Sequence, residues 1–395
     1  MKNIGRQLIA HRRKYALLTF ALAVVCCLLL YKLGSLVGGL SAGELTAART
    51  PVGWHGLYNQ PLYLPLNAVR SVAFFLFADH GQTLTRLPNA FFGLFTVCAF
   101  GWLAWLWHGR RTALFAGCLF ATSAWVLHVS RLASFDVLYL WAMTTLLLAH
   151  VNLQRRTTNP VIFYGAILLW GLLLYVPGMI WLLLVEWWLQ RHAILRGWRH
   201  FSRWWQRVTY LLCGIIWLPL LIDRLRSTMT LKAWLGLPQH FDPPLTLLKH
   251  FVGVFVHLFV RGPEYHDLWL GRAPLLGVFA LVASLIGVYF YARNFRAGRS
   301  RLLGGFFLIG AVLVALGGPV GLSLLVPLMY LLAAAGIAFL LREWLRTFPF
   351  NPLARATGIS LIVLAVALSC AYNLRAYFVA WPHNHDTKTV FRYHP

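Results

Sequence analysis

The sequence predicts an all-α integral membrane protein, on three observations. Of its 395 residues, 59% are hydrophobic and only 11% charged, against roughly 45–50% apolar content in soluble domains. Its mean hydropathy is +0.67. The apolar residues gather in runs long enough for a hydrocarbon core of about 30 Å, which needs about 20 helical residues. These features exclude an ordinary soluble protein. One membrane-embedded unit replaces the two or three globular domains that length alone would suggest.

About eleven spans are expected (range 9–12), near 16–36, 86–107, 112–130, 134–152, 160–175, 178–190, 208–222, 273–292, 302–316, 319–341 and 356–373. The runs at 160–175 and 178–190 are short, and Pro177-Gly178 between them reads as a tight reversal. The first run follows Lys2, Arg6, Arg12, Arg13 and Lys14. It is too long for a signal peptide, and no clean small-residue cleavage site follows it.

The 35 Lys and Arg against 10 Asp and Glu give a net charge of +25, which in a soluble protein would point to nucleic acid. Here the cations mark topology. With the N-terminus cytoplasmic, alternation places 108–111, 153–159, 191–207, 293–301 and 342–355 inside. Together with the N-terminal segment these hold 21 cations, against 14 outside, as the positive-inside rule requires. Their spread over six segments argues against a nucleic-acid groove and adds a contact term with anionic membrane lipids. Trp187, Trp188, Trp198, Trp204 and Trp205 flank a basic loop as interfacial anchors do. Of the acidic residues, only Glu186 and Glu343 fall inside. The other eight lie outside, where helix capping or chemistry would account for them.

The six cysteines all sit in apolar runs, so neither a disulfide framework nor a zinc site is expected. Three outer segments, 37–85, 224–272 and the tail 374–395, are long enough to build a site. The first holds Ser41, Gly43, Glu44, His55, Tyr58, Asn59 and Gln60. Its run 62–78, interrupted by Pro65, Asn67 and Arg70, reads as a helix lying at the interface. The second contains an amphipathic run from Pro244 to Val260, also read as interfacial. The tail is too short for an independent domain.

An enzyme acting on a charged lipid at a membrane face needs a carboxylate to take a proton from the acceptor and cations to stabilise a departing phosphate. Glu44 and Asp136 sit at the outer ends of predicted spans, with Arg86 and Arg131 at comparable depth. Structural roles compete at each position. Ser41 and Glu44 have capping-box spacing, Asp136 suits a helix N-terminus, and Arg131 suits a snorkelling interface residue.

The stretch from Arg86 to His150, RLPNAFFGLFTVCAFGWLAWLWHGRRTALFAGCLFATSAWVLHVSRLASFDVLYLWAMTTLLLAH, resembles the core of polytopic glycosyltransferases of the C-type (GT-C) fold. It is similar above all to the dolichyl-phosphate-mannose protein mannosyltransferases and the lipid A aminoarabinose transferases. The specific part is the order of landmarks: an acidic first outer loop, RLPNAFFG opening a span, the basic turn GRR, ATS in the next span, and SRLASFD before another. The match covers about residues 10–190. The helical remainder, 191–373, and the outer tail, 374–395, match weakly.

The resemblance implies an inverting membrane transferase. It would take a sugar from a polyprenyl-phosphate donor on the outer face and pass it to a protein, lipid or glycan acceptor. It maps the acidic positions onto Glu44 and Asp136 as catalytic residues and marks Arg86 and Arg131 as motif positions, to which we assign the donor phosphate on their charge and depth. His55, Tyr58, Asn59 and Gln60 become candidate acceptor or donor contacts. A divalent metal ion is compatible with this chemistry and not demanded by it. One departure stands out: many relatives carry an Asp-Glu pair in the first loop, whereas the first of these positions is Gly43 here. Two rivals remain at this point, a polytopic transporter or lipid flippase and a catalytically silent GT-C homologue. Transporters place ionisable residues near the midplane, often in repeated halves, whereas here the polar residues cluster at one face and no repeat is visible.

Overall fold

The computed structural model describes residues 16, 19–49, 61–77, 81–155, 159–226, 231–264 and 268–393. Among these the fold is helical, with one isolated antiparallel bridge between Leu40 and Tyr393. A helix stands in each of the eleven apolar stretches. Among the described residues six helices are long and apolar enough to cross a membrane, or seven if one bent pair counts as a single span.

In the N-terminal half, α1 (Thr19–Leu30) leads into the segment, expected on the outer face, that carries α2 (Ala42–Arg49) and α3 (Leu64–Leu76). The long α4 (Gln82–His108) follows, then α5 (Arg110–Ala121), α6 (Ala124–Arg131) and α7 (Asp136–Arg155). The stretch expected as one span at 112–130 is broken. α5 and α6 meet at 58°, because the Thr122 hydroxyl bonds back to the Cys118 carbonyl at 2.8 Å and Ser123 leaves helical geometry.

α8 (Pro160–Leu173) and α9 (Met179–His200) are separate helices, divided where Gly178 adopts a left-handed φ of 77°. Phe163 at the start of α8 packs on Gly197 and Trp198 at the end of α9, so the chain reverses at Pro177-Gly178 as its sequence predicts. α10 (Arg203–Arg226), the single turn α11 (Leu231–Trp234) and α12 (Pro244–Phe259) come next, the last where the amphipathic run lies.

The final bundle comprises α13 (Val278–Arg293), α14 (Gly298–Ala315), α15 (Val326–Thr347) and α16 (Pro352–Arg375). α13 and α15 approach at backbone distance. A Cβ on Gly287 would strike the Leu332 carbonyl and one on Gly336 the Ala283 carbonyl, the small-residue contact that membrane helices use in place of a hydrophobic driving force.

α7 and α15 form the buried centre, while α10 and α16 are mostly exposed. Leu361, Leu364, Leu368 and Tyr372 on α16 are large, apolar and uncovered, the surface expected where lipid is the solvent. Inside the bundle Glu186 on α9 is fully buried and meets His150 Nδ1 on α7 at 2.8 Å, and Gln190 donates to Glu186 Oε1 at 2.9 Å.

Candidate active site

The SRLASFD segment is the hub of the polar residues that the sequence singles out at span ends. α6 ends at Arg131, Leu132 is extended, and α7 begins at Asp136. Residues 132–135 therefore form a tight connection whose backbone groups cannot all be satisfied locally. Side chains from three other elements supply the partners. The Ala133 N–H donates to Glu44 Oε1 at 2.9 Å, Asn89 donates to the Ser134 carbonyl at 2.5 Å, and Arg70 Nη2 reaches the Ala133 carbonyl at 3.5 Å.

Glu44 and Arg86, both 2% exposed, form a bidentate ion pair: Nε donates to Oε1 at 2.8 Å and Nη2 to Oε2 at 2.7 Å. Oε2 also accepts the Ser41 N–H at 3.1 Å, and Ser41 Oγ accepts the Glu44 N–H at 3.2 Å. The capping box foreseen from the spacing is therefore present, with the ion pair added. Four donors reach the carboxylate of Glu44, as many as its lone pairs accommodate. Arg86 also donates to the Leu33 and Gly39 carbonyls at 3.1 and 2.8 Å. The pair clasps the first outer segment to α4 and to the hub loop.

Arg131 is likewise occupied. It donates to the Leu28 and Tyr31 carbonyls, each at 2.6 Å, and to the Lys32 carbonyl at 3.3 Å, which caps the end of α1. Its guanidinium lies 5.5 Å from the Tyr377 ring and 5.0 Å from the Phe378 ring. The tail thereby covers the clasp. Tyr377 stacks on Trp381, whose indole N–H donates to the Trp269 carbonyl at 2.8 Å, and Tyr393 pairs with Leu40.

Asp136 differs from Glu44 in its freedom. Its Oδ1 accepts the Ser323 hydroxyl at 3.2 Å, and Ser323 Oγ in turn accepts the Trp125 indole N–H at 3.1 Å. Its Oδ2 accepts no hydrogen bond among the described residues. Ser323 lies in a 3-10 turn (Leu322–Leu324) between α14 and α15. Gly321 just before it packs so closely that a Cβ there would collide with Asp136 Oδ1. The preceding Pro319 carbonyl accepts the Tyr139 hydroxyl at 2.8 Å.

Arg70 is the cation with unused donors. It is 2% exposed, its one hydrogen bond is long, and Nε has no partner among the described residues. Burial pushes its pKa down to about 10, opposed by the nearby charge of Glu44, so it remains cationic at neutral pH. The guanidinium lies 5.5 Å from the Phe135 ring, and Tyr63 stacks on that ring at 4.2 Å. α3 keeps Arg70 and Leu66 inward while Val72, Phe75 and Leu76 are exposed, the division an interfacial helix needs.

The structure thus brings Glu44, Arg86 and Asp136 around one loop and sets Arg131 beneath it. Arg70, Asn89, Tyr63, Gly321 and Ser323 belong to the same cluster without having been singled out by sequence. For Arg70 a signal existed, because a cation interrupting an apolar run is costly without a partner. For Ser323, 187 residues from Asp136, there was none. His55, Tyr58, Asn59 and Gln60 lie outside the described residues. Of the other outer carboxylates, Asp242 pairs with His250 at 3.7 Å and Glu264 with Arg261 at 2.7 Å, all on exposed surface. Among the described residues no three His, Cys, Asp or Glu side chains gather as a metal site would require.

No family model and no curated protein matches the sequence. Solved structures do match in fold. ArnT from Cupriavidus metallidurans in the apo state superimposes with a TM-score of 0.63 at 13% identity, over 97% of this chain and 78% of that one. The same protein bound to undecaprenyl phosphate gives 0.57 at 12% identity, over 94% and 76%. The archaeal oligosaccharyltransferase AglB from Archaeoglobus fulgidus, in complex with an inhibitory peptide and a dolichol-phosphate, gives 0.55 at 15% identity. That match covers 97% of this chain but 57% of AglB, so this chain spans little more than half the length of the archaeal enzyme. Both are polytopic GT-C glycosyltransferases, and the helical arrangement of this chain is the GT-C fold.

Proposed function

We propose that the chain is a membrane glycosyltransferase that moves a sugar from a polyprenyl-phosphate carrier to a protein, lipid or glycan acceptor on the extracytoplasmic face, with inversion. The observation that carries this reading is a hub loop with a carboxylate that keeps an open oxygen at its end, Asp136, and a buried arginine with open donors against its Ala133 carbonyl, Arg70. Solved relatives in fold that hold undecaprenyl phosphate or dolichol-phosphate support the donor class.

In this reading Asp136 Oδ2 accepts the proton of the acceptor hydroxyl as its oxygen bonds to the anomeric carbon. The bond from that carbon to the phosphate oxygen breaks, and the electron pair leaves with the polyprenyl phosphate. Arg70 stabilises the released charge. Phosphate is a competent leaving group, so no protonated carboxylic acid is required. Glu44, Arg86 and Arg131 act in the same site as positioning residues, since their hydrogen-bonding groups are largely engaged. For Glu44 to serve as the base, its pair with Arg86 would have to open. A small residue at Gly43 is compatible with this division of labour, because the proton acceptor is on α7.

The topology we propose has eleven crossings: α1, α4, the α5–α6 pair, α7, α8, α9, α10, α13, α14, α15 and α16. The N-terminus is cytoplasmic, and α3 and α12 lie in the outer interface. The buried pair of Glu186 and His150 favours a second reading, transport, because ionisable groups within a bundle mark ion pathways in transporters.

The deciding experiment incubates the purified chain with labelled polyprenyl-phosphate sugars and membrane acceptors. Carrier-dependent covalent transfer, lost in Asp136→Asn and Arg70→Gln, supports the transferase. Counterflow of substrate through vesicles without a covalent product would replace it with the transporter.

A further inference from the structure

At the opposite end of α4, 22 residues and therefore about 33 Å along the helix axis from Arg86, the bundle encloses a second polar site. A cavity of about 490 Å³ lies between the end of α4, the end of α13, the start of α14 and the middle of α15. Its cationic wall carries Arg299 and Arg342, and its other wall is apolar, with Ala335, Ala338 and Phe339. No acidic side chain lines it.

The groups here are not used by one another. Arg299 donates once, to the Trp107 carbonyl at 3.3 Å, and lies 5.5 Å from the Trp107 ring. This caps the end of α4 and leaves most of the guanidinium donors open. Arg342 makes no hydrogen bond or ion pair among the described residues. His108 Nε2 is buried without a partner, and both arginine charges act on this imidazole. Arg299 and Arg342, both reached by solvent, and the buried His108 Nε2 face one cavity, where a single anion could engage all three. A buried unpaired donor also incurs a desolvation cost that a ligand would relieve.

We propose that this cavity binds a phosphate ester, with Arg299 and Arg342 on its oxyanion and His108 Nε2–H donating a third hydrogen bond. Two guanidinium forks match tetrahedral phosphate oxygens better than they match a single carboxylate. The apolar wall suits the glycerol and first methylenes of a phospholipid, and basic pockets between membrane helices bind such headgroups. A soluble phosphate shares the same recognition chemistry. The site lies at the far end of the bundle from Asp136 and serves no step of sugar transfer, so it stands or falls independently of the proposed activity.

The test uses the full chain in detergent and measures retention of phosphatidylglycerol, phosphatidylcholine and inorganic phosphate by native mass spectrometry. The expected result is selective retention of phosphatidylglycerol over phosphatidylcholine, weakened about thirty-fold in Arg299→Gln/Arg342→Gln and to a lesser degree in His108→Phe. Inorganic phosphate that binds the wild type, displaces the lipid and loses affinity in the double variant identifies a soluble phosphate as the ligand. Equal retention of both ligands by the wild type and the double variant overturns the proposal. So does an equal loss in Arg191→Gln/Arg196→Gln, which removes two cations from another inner segment. If the double variant does not fold, Arg342→Gln alone decides the matter, because the fold asks nothing of that side chain.

Discussion

Glu44 and Arg86 face each other through two parallel hydrogen bonds of 2.8 and 2.7 Å, both side chains sealed from solvent. They come from different elements, the first outer segment and the start of α4, and each also holds backbone of a third. Leaving either charge buried alone costs about 3–5 kcal/mol. Glu44→Ala and Arg86→Ala should therefore lower the thermal unfolding midpoint and the yield of monodisperse protein together. Arg86→Lys should recover little, because a single ammonium cannot make the fork. A Glu44→Ala protein with wild-type thermal stability would show that the clasp is not structural.

Asp136 should behave in the opposite way. Its carboxylate has one hydrogen-bond donor where Glu44 has four, so Asp136→Asn removes proton acceptance with little loss of packing. Carrier-dependent transfer is expected to fall by about 10²–10⁴-fold while the unfolding midpoint stays near the wild-type value. Steady-state kinetics beside a melting curve separate the two effects. A matched fall in stability and rate would return Asp136 to the role of a helix-terminal anion.

The contrast between these two carboxylates also marks how far the sequence could be read. Composition and charge placement gave the membrane class, and each apolar stretch contains a helix, because hydrophobic length is a local property. The reversal at Pro177-Gly178 was legible for the same reason. The break at Thr122-Ser123 was not, since Thr and Ser inside an apolar run usually leave a span intact. Glu44, Asp136, Arg86 and Arg131 stood out as scarce charges at span ends, yet nothing local distinguishes a saturated carboxylate from an open one. That difference is made by Arg86 and Ala133 at Glu44 and by Ser323 and Gly321 at Asp136, which reach the two acids only through the fold. Arg70 was visible as a cation inside an apolar stretch, but its inward direction is set by α3 packing on the hub loop.

Gly321 makes a sharper test of geometry than any charged residue. A Cβ at this position would meet Asp136 Oδ1, so Gly321→Ala must displace either the carboxylate or the turn that carries Ser323. A displacement of about 1 Å in a reacting group can cost on the order of 10²-fold in rate. The expected phenotype is a fall in kcat of that size, with membrane insertion and donor binding retained. Ser323→Ala, which removes the hydroxyl and adds no bulk, should cost less. If Gly321→Ala transfers sugar at the wild-type rate, Asp136 is not held for chemistry by this loop.

Glu186 and His150 supply the remaining test, because among the described residues they are the other buried ionisable pair and lie on the cytoplasmic side of the proposed topology, away from the hub loop. Gln190 donates both to Glu186 Oε1 at 2.9 Å and to the His150 carbonyl at 3.0 Å, so the group is a network joining α7 to α9, with His150 Nε2 buried and unpartnered among the described residues. Removing the carboxylate strands the imidazole and the Gln190 amide in a low-dielectric interior, where an unmet polar group costs about 1–3 kcal/mol and a charged one more. Glu186→Ala should therefore lower the unfolding midpoint, and Glu186→Gln, which retains an acceptor, should lower it less. Sugar transfer per folded molecule should be unchanged in both variants if the pair only joins helices. A large loss of transfer or of counterflow in well-folded Glu186→Gln would instead make the pair a working proton site and move the balance toward transport.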